Sequence, residues 1–193
     1  RMIDEFEDHL TVNRQDSEVM EINHQAGKRA VRVSETTYRL IQQAVEVSKW
    51  QLGFNVAIGP LVKLWKIGFD GANKPSDRQI AERLALTDPR AIVLNDQEQS
   101  VFLEKEGMEL DLGGIAKGFI ADEIKDFWQK QHVSSGIIDL GGNVLLVGGS
   151  QHPDAKWNVG VQNPVKPRHV PLGVLHIDEK SVGTSGIYER KLV

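Results

Sequence analysis

One stretch of the sequence combines an acid, a glycine pair and a lysine directly ahead of a helical pattern: ELDLGGIAKGFIADEIKDFW, residues 109–128. Glycine lets a backbone come close to a ligand, and the first turn of a helix presents unpaired N–H groups with partial positive charge. Lys117 would add a full positive charge at the same place. The combination predicts a site for an anion, most simply a phosphate group.

The spacing differs from the two common phosphate-binding fingerprints. Lys117 is followed by Gly118 and Phe119, where a Walker loop has the Ser or Thr that holds magnesium. The dinucleotide fingerprint G-x-G-x-x-G does not occur in the sequence. A second interpretation therefore stays open, in which Gly113 and Gly114 form a tight turn and Lys117 is a solvated residue of the first helical turn.

Composition narrows the class of protein. The 193 residues are 40% hydrophobic and 26% charged, which suits one globular domain over residues 1–193. A net charge of −4 argues against non-specific nucleic-acid binding, and the absence of cysteine excludes disulfides and thiolate metal sites. The sequence opens inside a helical pattern and ends in what reads as an unfinished strand, so we expect it to continue at both ends.

Hydrophobic periodicity and turn residues predict an α+β fold with a mainly antiparallel sheet packed with helices. Helical patterns run over residues 2–10, 17–27, 34–51, 59–65, 76–86 and 115–131, and Ser76 with Gln79 predicts a capping box. Strand patterns are RAVRVS, AIVLN, SVFLE, GIIDL, NVLLVG, WNVGVQ and GVLHI. Short strands broken by Gly, Asn and Pro favour antiparallel hairpins over parallel βαβ units.

Four stretches, in this order, resemble the ApbE family of FAD:protein FMN transferases, whose fold is related to the T-fold. They are FNVAIGPLVKLW at 54–65, LDLGGIAKGFIAD at 110–122, GIIDLGGNVLLVGG at 136–149 and SVGTSGIYER at 181–190. The resemblance implies a magnesium-dependent enzyme in which a Thr or Ser hydroxyl of an acceptor protein attacks the pyrophosphate of FAD. FMN then stays on the acceptor through a phosphodiester, and AMP leaves. Such chemistry depends on positioning and charge neutralisation, which agrees with a glycine turn, a helix start and a lysine.

The resemblance also assigns site residues, although it leaves the catalytic residue unknown. Positions that contact FAD in similar proteins fall on Gly53, Phe54, Asn55, Asp111 and Lys117. The magnesium ion of the family takes a main-chain carbonyl at the position of Gly114. Two other interpretations remain. Without the resemblance, Phe54 is read first as a core aromatic, and Asp111 as a turn or N-cap carboxylate that could also contact FAD.

The chain also departs from the family pattern. The D-P-x-T-G segment and the magnesium-binding acid and threonine that follow it are absent, and Val12 stands where similar proteins often have an aromatic residue. Asp139, Asn143 and Thr184 lie in glycine-rich segments that either face the ligand or form turns bonded to their own backbone. The six histidines show no metal-binding spacing, so we interpret them as surface or hydrogen-bonded residues.

The resemblance implies an extracytoplasmic lipoprotein, attached to the membrane only through an N-terminal lipid anchor outside this sequence. The implied acceptor is a subunit of a redox pump or an electron-transfer protein. Two other functions stay open: an FAD pyrophosphatase that gives FMN and AMP, and an FAD-binding protein without turnover.

Overall fold

The structure is a computed structural model that describes residue 6 and residues 16–68, 71–167 and 170–186. The chain divides into two compact units, the first taking the described residues through Ala116 and the second those from Lys117 onward. Apart from Phe6, which is helical and buried, the predicted N-terminal helix lies outside the described residues, as does the predicted strand in YERKLV. No helix within the described ranges has the length and apolar character needed to cross a membrane.

The first unit combines helices with a small antiparallel sheet. From residue 16 onward its α-helices are α1 (Glu18–His24), α2 (Glu35–Lys49), α3 (Gly59–Trp65) and α4 (Asp77–Leu84), and short 3-10 helices span Val56–Ile58 and Pro89–Ala91. Strands β1 (Val31–Arg32), β2 (Ile92–Asn95) and β3 (Ser100–Leu103) pair in the order β1-β3-β2. The strands predicted in AIVLN and SVFLE are β2 and β3, and they pair with each other.

Serine side chains begin three of these helices. Ser17, Ser34 and Ser76 have extended backbones, and each hydroxyl oxygen accepts the backbone N–H of the third residue that follows. At Ser76, the Gln79 side chain accepts the Ser76 backbone N–H in return, at 3.0 Å, which confirms the predicted capping box. The caps supply partners for N–H groups that the helices themselves leave unpaired.

Helix α4 ends at Leu84, two residues before the predicted end at Leu86. The amides of Leu86 and Thr87 each donate to the carbonyl three residues earlier, at 3.0 and 3.1 Å, so the last turn tightens. The Thr87 hydroxyl also donates to the Leu84 carbonyl at 2.9 Å. These bonds satisfy carbonyls at the helix end that have no partner within the helix.

The core of the first unit forms around one face of α2. Leu40, Ile41 and Ala44 of this helix are fully buried, as are Val101 and Leu103 of β3. At the edge of this core, the Tyr38 hydroxyl donates to Asp96 Oδ1 at 2.7 Å. Burial, together with this bond to a carboxylate, raises the pKa of Tyr38 to about 12.

A buried side-chain amide holds the segment that leads to the glycine pair. Asn23, on α1 and only 8% exposed, accepts the Leu110 backbone N–H at 2.7 Å and donates to the Leu110 carbonyl at 3.2 Å. Met108, Leu110 and Leu112 are buried, whereas Glu109 and Asp111 between them are partly exposed. The amide thus gives Leu110 both bonds that a neighbouring strand would otherwise supply.

The second unit is built on one long helix and two sheets. Helix α5 (Ala116–Lys130) carries the chain from the first unit into it. Strands β4 (Gly136–Asp139), β5 (Asn143–Val147) and β8 (Ser181–Gly183) form one antiparallel sheet in the order β4-β5-β8. Strands β6 (Trp157–Gln162) and β7 (Pro171–Ile177) form a separate antiparallel pair.

Close contacts attach α5 to elements of its own unit. A Cβ built on Gly136 of β4 would lie 2.5 Å from Cζ3 of Trp128, so glycine provides the space for the indole. Lys125 donates to Glu179, just before β8, at 2.5 Å, and this bond lowers the pKa of the Glu179 carboxyl. The helix therefore contacts both β4 and the turn that enters β8.

The predicted α+β class is confirmed, and every strand pair within the described residues is antiparallel. The strands are distributed over three small sheets. The predicted α1, α2 and α5 agree with the structure to within a few residues at their ends. Strand β8 is an addition, because SVG is too short to stand out from the glycine-rich sequence around it.

We expect Asn23→Ala to lower the free energy of unfolding by about 2–3 kcal/mol, because it leaves the buried N–H and carbonyl of Leu110 without partners. Urea unfolding followed by circular dichroism measures the change. Asn73→Ala is the matched control, since Asn73 is exposed and donates to the nearby Gly71 carbonyl. Equal stability of the two variants would show that the Asn23 amide does not hold this segment.

Candidate functional site

The segment before the first 3-10 helix is fixed to α2 by a buried serine. Ser48, 2% exposed, donates to the Ala44 carbonyl at 2.6 Å and accepts the Val56 N–H at 2.9 Å. Gly53 has φ +98, a conformation that residues with a Cβ rarely adopt, and its missing Cβ would meet nothing within 4 Å. Glycine is therefore required at 53 for the path of the backbone, and the space beside it is open.

The side chain of Asn55 has a structural role in the same segment. Its Oδ1 accepts the Ala57 N–H at 2.9 Å and caps the 3-10 helix, and its Nδ2 donates to the Thr87 carbonyl at 2.8 Å. Both polar atoms are thus engaged within the protein. A contribution of Asn55 to ligand binding would come from its backbone, or from the order that it gives to Phe54.

The predicted residues at 54 and 114 lie against each other. A Cβ built on Gly114 would lie 3.1 Å from Cε2 and 3.4 Å from Cδ2 of Phe54. Phe54 is half-buried, so it is neither a fully enclosed core residue nor a fully exposed one. The glycine at 114 leaves room for the aromatic ring, which lies against one side of the turn.

The turn itself is attached to the segment at 53–56. The Asp111 N–H donates to the Val56 carbonyl at 2.8 Å, and Asp111 Oδ1 accepts the Gly113 N–H at 2.8 Å. Neither Gly113 nor Gly114 has a positive φ, so the turn does not need glycine for its conformation. A Cβ on Gly113 would lie 3.0 Å from Asp111 Oδ1, so a larger residue there would require the carboxylate to shift.

Gly113 and Gly114 are both exposed, and the ring of Phe54 lies against one side of Gly114. Close approach of a ligand to the backbone of this glycine pair stays a prediction. The predicted turn carboxylate is present, because Asp111 bonds its own loop through one oxygen. The carboxylate of Asp111 is half-buried.

Lys117 belongs to the second unit, in the first turn of α5. Its side chain is exposed, and Nζ donates to the Gly141 carbonyl at 3.4 Å. Gly141 and Gly142 form the turn between β4 and β5 and have φ values of +63 and +85. The lysine therefore contacts a glycine turn of its own unit.

Two residues hold this glycine turn, and the sequence left their roles open. Asp139 Oδ1 accepts the Gly142 N–H at 2.8 Å, which is the backbone-bonded alternative for Asp139. The Thr184 hydroxyl donates to the Gly142 carbonyl at 3.2 Å. Asn143 pairs with Gly183 in the β5–β8 ladder. Residues 187–193, which follow in the same segment, lie outside the described residues.

The structure thus brings the predicted residues together in two groups. Gly53, Phe54, Asn55, Asp111 and Gly114 form one cluster in the first unit. Lys117 lies with the Gly141–Gly142 turn and Thr184 in the second unit. Sequence reasoning missed the two side chains that anchor the first cluster, Asn23 and Ser48. The sequence marks each of them only as a polar residue on a helix face that is otherwise apolar.

Other features lie away from both groups. An open groove of about 630 Å³ in the second unit is lined by Ser135, His152 and Trp157, among others, and includes none of the predicted residues. His176 is hydrogen-bonded to Asn158 and to Asp154, each at 2.8 Å.

A magnesium site is not completed by the described residues. Within residue 6 and residues 16–68, 71–167 and 170–186, no group of three or more His, Asp or Glu side chains could hold a metal ion. Gly114 has one carbonyl oxygen to offer, whereas magnesium prefers about six oxygen ligands in octahedral geometry.

Comparison with known proteins identifies relatives of this chain. The chain is 47% identical over 191 residues to a protein of Klebsiella pneumoniae and 37% identical over 195 residues to one of Treponema pallidum, both named FAD:protein FMN transferase. These matches cover 98% and 94% of the chain but 58% and 54% of the relatives, so the chain spans little more than half their length.

Solved structures give the same result. The fold matches the ApbE protein of Thermotoga maritima with a TM-score of 0.85 and 27% identity, over 97% of this chain and 60% of that one. It matches the flavin transferase ApbE of Vibrio cholerae with a TM-score of 0.80 and 26% identity, over 97% and 61%. Since the model of the ApbE family also matches residues 1–193, the chain belongs to the ApbE family.

Proposed function

We propose that the protein is an FAD:protein FMN transferase that moves FMN from FAD to a Thr or Ser hydroxyl of an acceptor protein. The hydroxyl oxygen forms a bond to the phosphorus on the FMN side, the bond from that phosphorus to the bridging oxygen breaks, and AMP leaves. The hydroxyl proton is released in the same reaction. The observation that carries the proposal is the Asp111–Gly114 turn, bonded to Val56 and covered by Phe54 in a chain of this family.

Each residue of the first cluster has a chemical role in this proposal. The half-buried ring of Phe54 offers an apolar face of the kind on which planar heterocycles stack. The Asp111 carboxylate can accept hydrogen bonds from N–H or O–H groups of the ligand through the oxygen that does not bond Gly113. Gly53 and Asn55 set the backbone path beside the ring.

Lys117 supplies positive charge for the phosphates. Its ammonium has three N–H donors, and the side chain is exposed, so an anion can reach it. It follows Gly114 by three residues at the start of a helix, where the backbone favours negative charge as well. The ammonium and the start of the helix would both stabilise the extra negative charge that develops on the pyrophosphate during transfer.

The family resemblance alone supports a role for magnesium. The Gly114 carbonyl would be one of its ligands, and the ion would neutralise negative charge on the phosphates. The same resemblance supports an acceptor that is a redox-pump or electron-transfer subunit, and a lipoprotein held at the membrane outside the cytoplasm. The names of the relatives support FAD as the substrate.

Transfer is tested with the whole protein, FAD, magnesium and an acceptor that has a flavinylation Thr. We expect the acceptor to gain the mass of FMN while an equal amount of AMP appears, and an acceptor with Val in place of that Thr to gain nothing. AMP release that does not depend on the acceptor would instead identify an FAD pyrophosphatase. FAD binding without AMP would identify a binding protein.

We expect Lys117→Ala to weaken FAD binding by about 1–3 kcal/mol, the range for a charge-assisted bond to an anion. Calorimetric titration with FAD measures the change. Lys130→Ala is the matched control, because Lys130 is exposed on the same helix but at its other end. If the two variants bind FAD equally well at moderate salt, Lys117 is only a solvated lysine.

We expect Asp111→Asn to reduce FAD affinity or turnover but to change the free energy of unfolding by less than about 0.5 kcal/mol, because asparagine keeps the oxygen that accepts the Gly113 N–H. Thermal unfolding and FAD titration separate the two effects. Asp77→Asn, on the exposed first turn of α4, controls for the loss of one negative charge. If Asp111→Asn binds FAD as tightly as the wild type does, the Asp111 carboxylate serves only to hold the turn.

A further inference from the structure

The turn that Lys117 contacts is built as a rigid hairpin. Leu140 N–H donates to the Asn143 carbonyl at 3.0 Å, and both residues between them, Gly141 and Gly142, have positive φ. Two consecutive positive φ values are the pattern of a type I′ turn, the tightest connection between antiparallel strands, and glycine adopts it without strain. The turn therefore presents its carbonyls in fixed directions.

Both polar backbone groups of Gly142 are already bonded. Asp139 accepts its N–H at 2.8 Å, and the Thr184 hydroxyl donates to its carbonyl at 3.2 Å. Thr184 follows β8, which pairs with β5 on the far side of the turn from β4, so the turn is held by both neighbouring strands. The Gly141 carbonyl is the one that meets the Lys117 ammonium.

The ammonium lies close to the backbone of Gly141. A Cβ on this residue would be 3.2 Å from Lys117 Nζ, so the ammonium would have to shift slightly to admit one. A lysine side chain has about 2 kcal/mol of rotamer entropy, part of which is lost when it binds an anion. When a carbonyl already holds the ammonium, the lysine side chain loses less rotamer entropy on binding the ligand.

We propose that the Gly141–Gly142 turn, locked by Asp139 and Thr184, positions the Lys117 ammonium for the phosphates of FAD. One N–H of the ammonium bonds the Gly141 carbonyl, and the other two remain for phosphate oxygens. Thr184 is then a positioning residue that acts through the turn and through Lys117. This inference rests on the proposed function, because it takes FAD as the anion.

The test is a double-mutant cycle in the whole protein. Thr184→Val removes the hydroxyl but keeps the shape, and we expect it to raise the Kd for FAD about three- to tenfold, in the range of one hydrogen bond. Thr184→Ser restores the hydroxyl, and we expect it to stay within about twofold of the wild type. In the Lys117→Ala background, Thr184→Val is expected to change the Kd by less than about twofold, because its effect passes through the lysine.

A second readout does not need FAD. NMR relaxation of the 15N-labelled lysine ammonium groups, with the Lys117 signal assigned from its loss in Lys117→Ala, should show greater mobility of Lys117 in Thr184→Val than in the wild type or Thr184→Ser. Unchanged mobility would overturn the inference. So would equal effects of Thr184→Val with and without the lysine, since a merely structural residue acts independently of Lys117.

The two failures can be told apart. If Lys117→Ala weakens FAD binding and the Thr184 effect is additive, the proposed function stands and only the positioning role falls. If the wild-type protein does not bind FAD, the proposed function falls and the role toward FAD falls with it. In that case the mobility measurement still decides whether the turn holds the lysine.

Discussion

The buried amide of Asn23 fixes the segment on which the first site cluster depends. It bonds both backbone groups of Leu110, a residue 87 positions later in the chain. Since side chains of an extended segment alternate between two sides, holding Leu110 in the core sends Asp111 to the accessible side. The burial pattern from Met108 to Leu112 follows this alternation. A single side chain thus sets the direction in which the predicted ligand carboxylate points.

Three glycines, two in the first unit and one in the second, serve three different physical purposes. Gly53 is required for a backbone conformation, with open space beside it. Gly114 has an ordinary conformation and provides space for the ring of Phe54. Gly141 combines both, with a positive φ and an ammonium at the place of its missing side chain. Glycine in this sequence therefore marks crowded positions as well as open ones.

Local signals in the sequence were sufficient for most of the fold. The serine caps at Ser17, Ser34 and Ser76 act within four residues, so the sequence around each one contains the whole interaction. The hairpins were predicted for the same reason. Helix α4 ended early because its last carbonyls found partners in the Leu86–Thr87 turn, which residue periodicity does not describe.

The site was predictable only where resemblance or local chemistry pointed to it. Asp111 and Lys117 stand out as charged residues next to glycine, and the Asp111 turn bond lies within two residues. Asn23 and Ser48 act over longer separations and look like ordinary polar residues of their helices. The bond from the Thr184 hydroxyl to the Gly142 carbonyl depends on the pairing of β8 with β5. No sequence pattern near Thr184 predicts that pairing.

The contact between Phe54 and Gly114 has a consequence for how such sequences diverge. The ring and the missing Cβ are 3.1 Å apart, so a larger residue at 114 is compatible only with a smaller or displaced one at 54. The two positions, 60 residues apart in the chain, should therefore covary among homologous sequences. A lineage that acquires a side chain at 114 should displace the ring at 54 or replace it with a smaller residue.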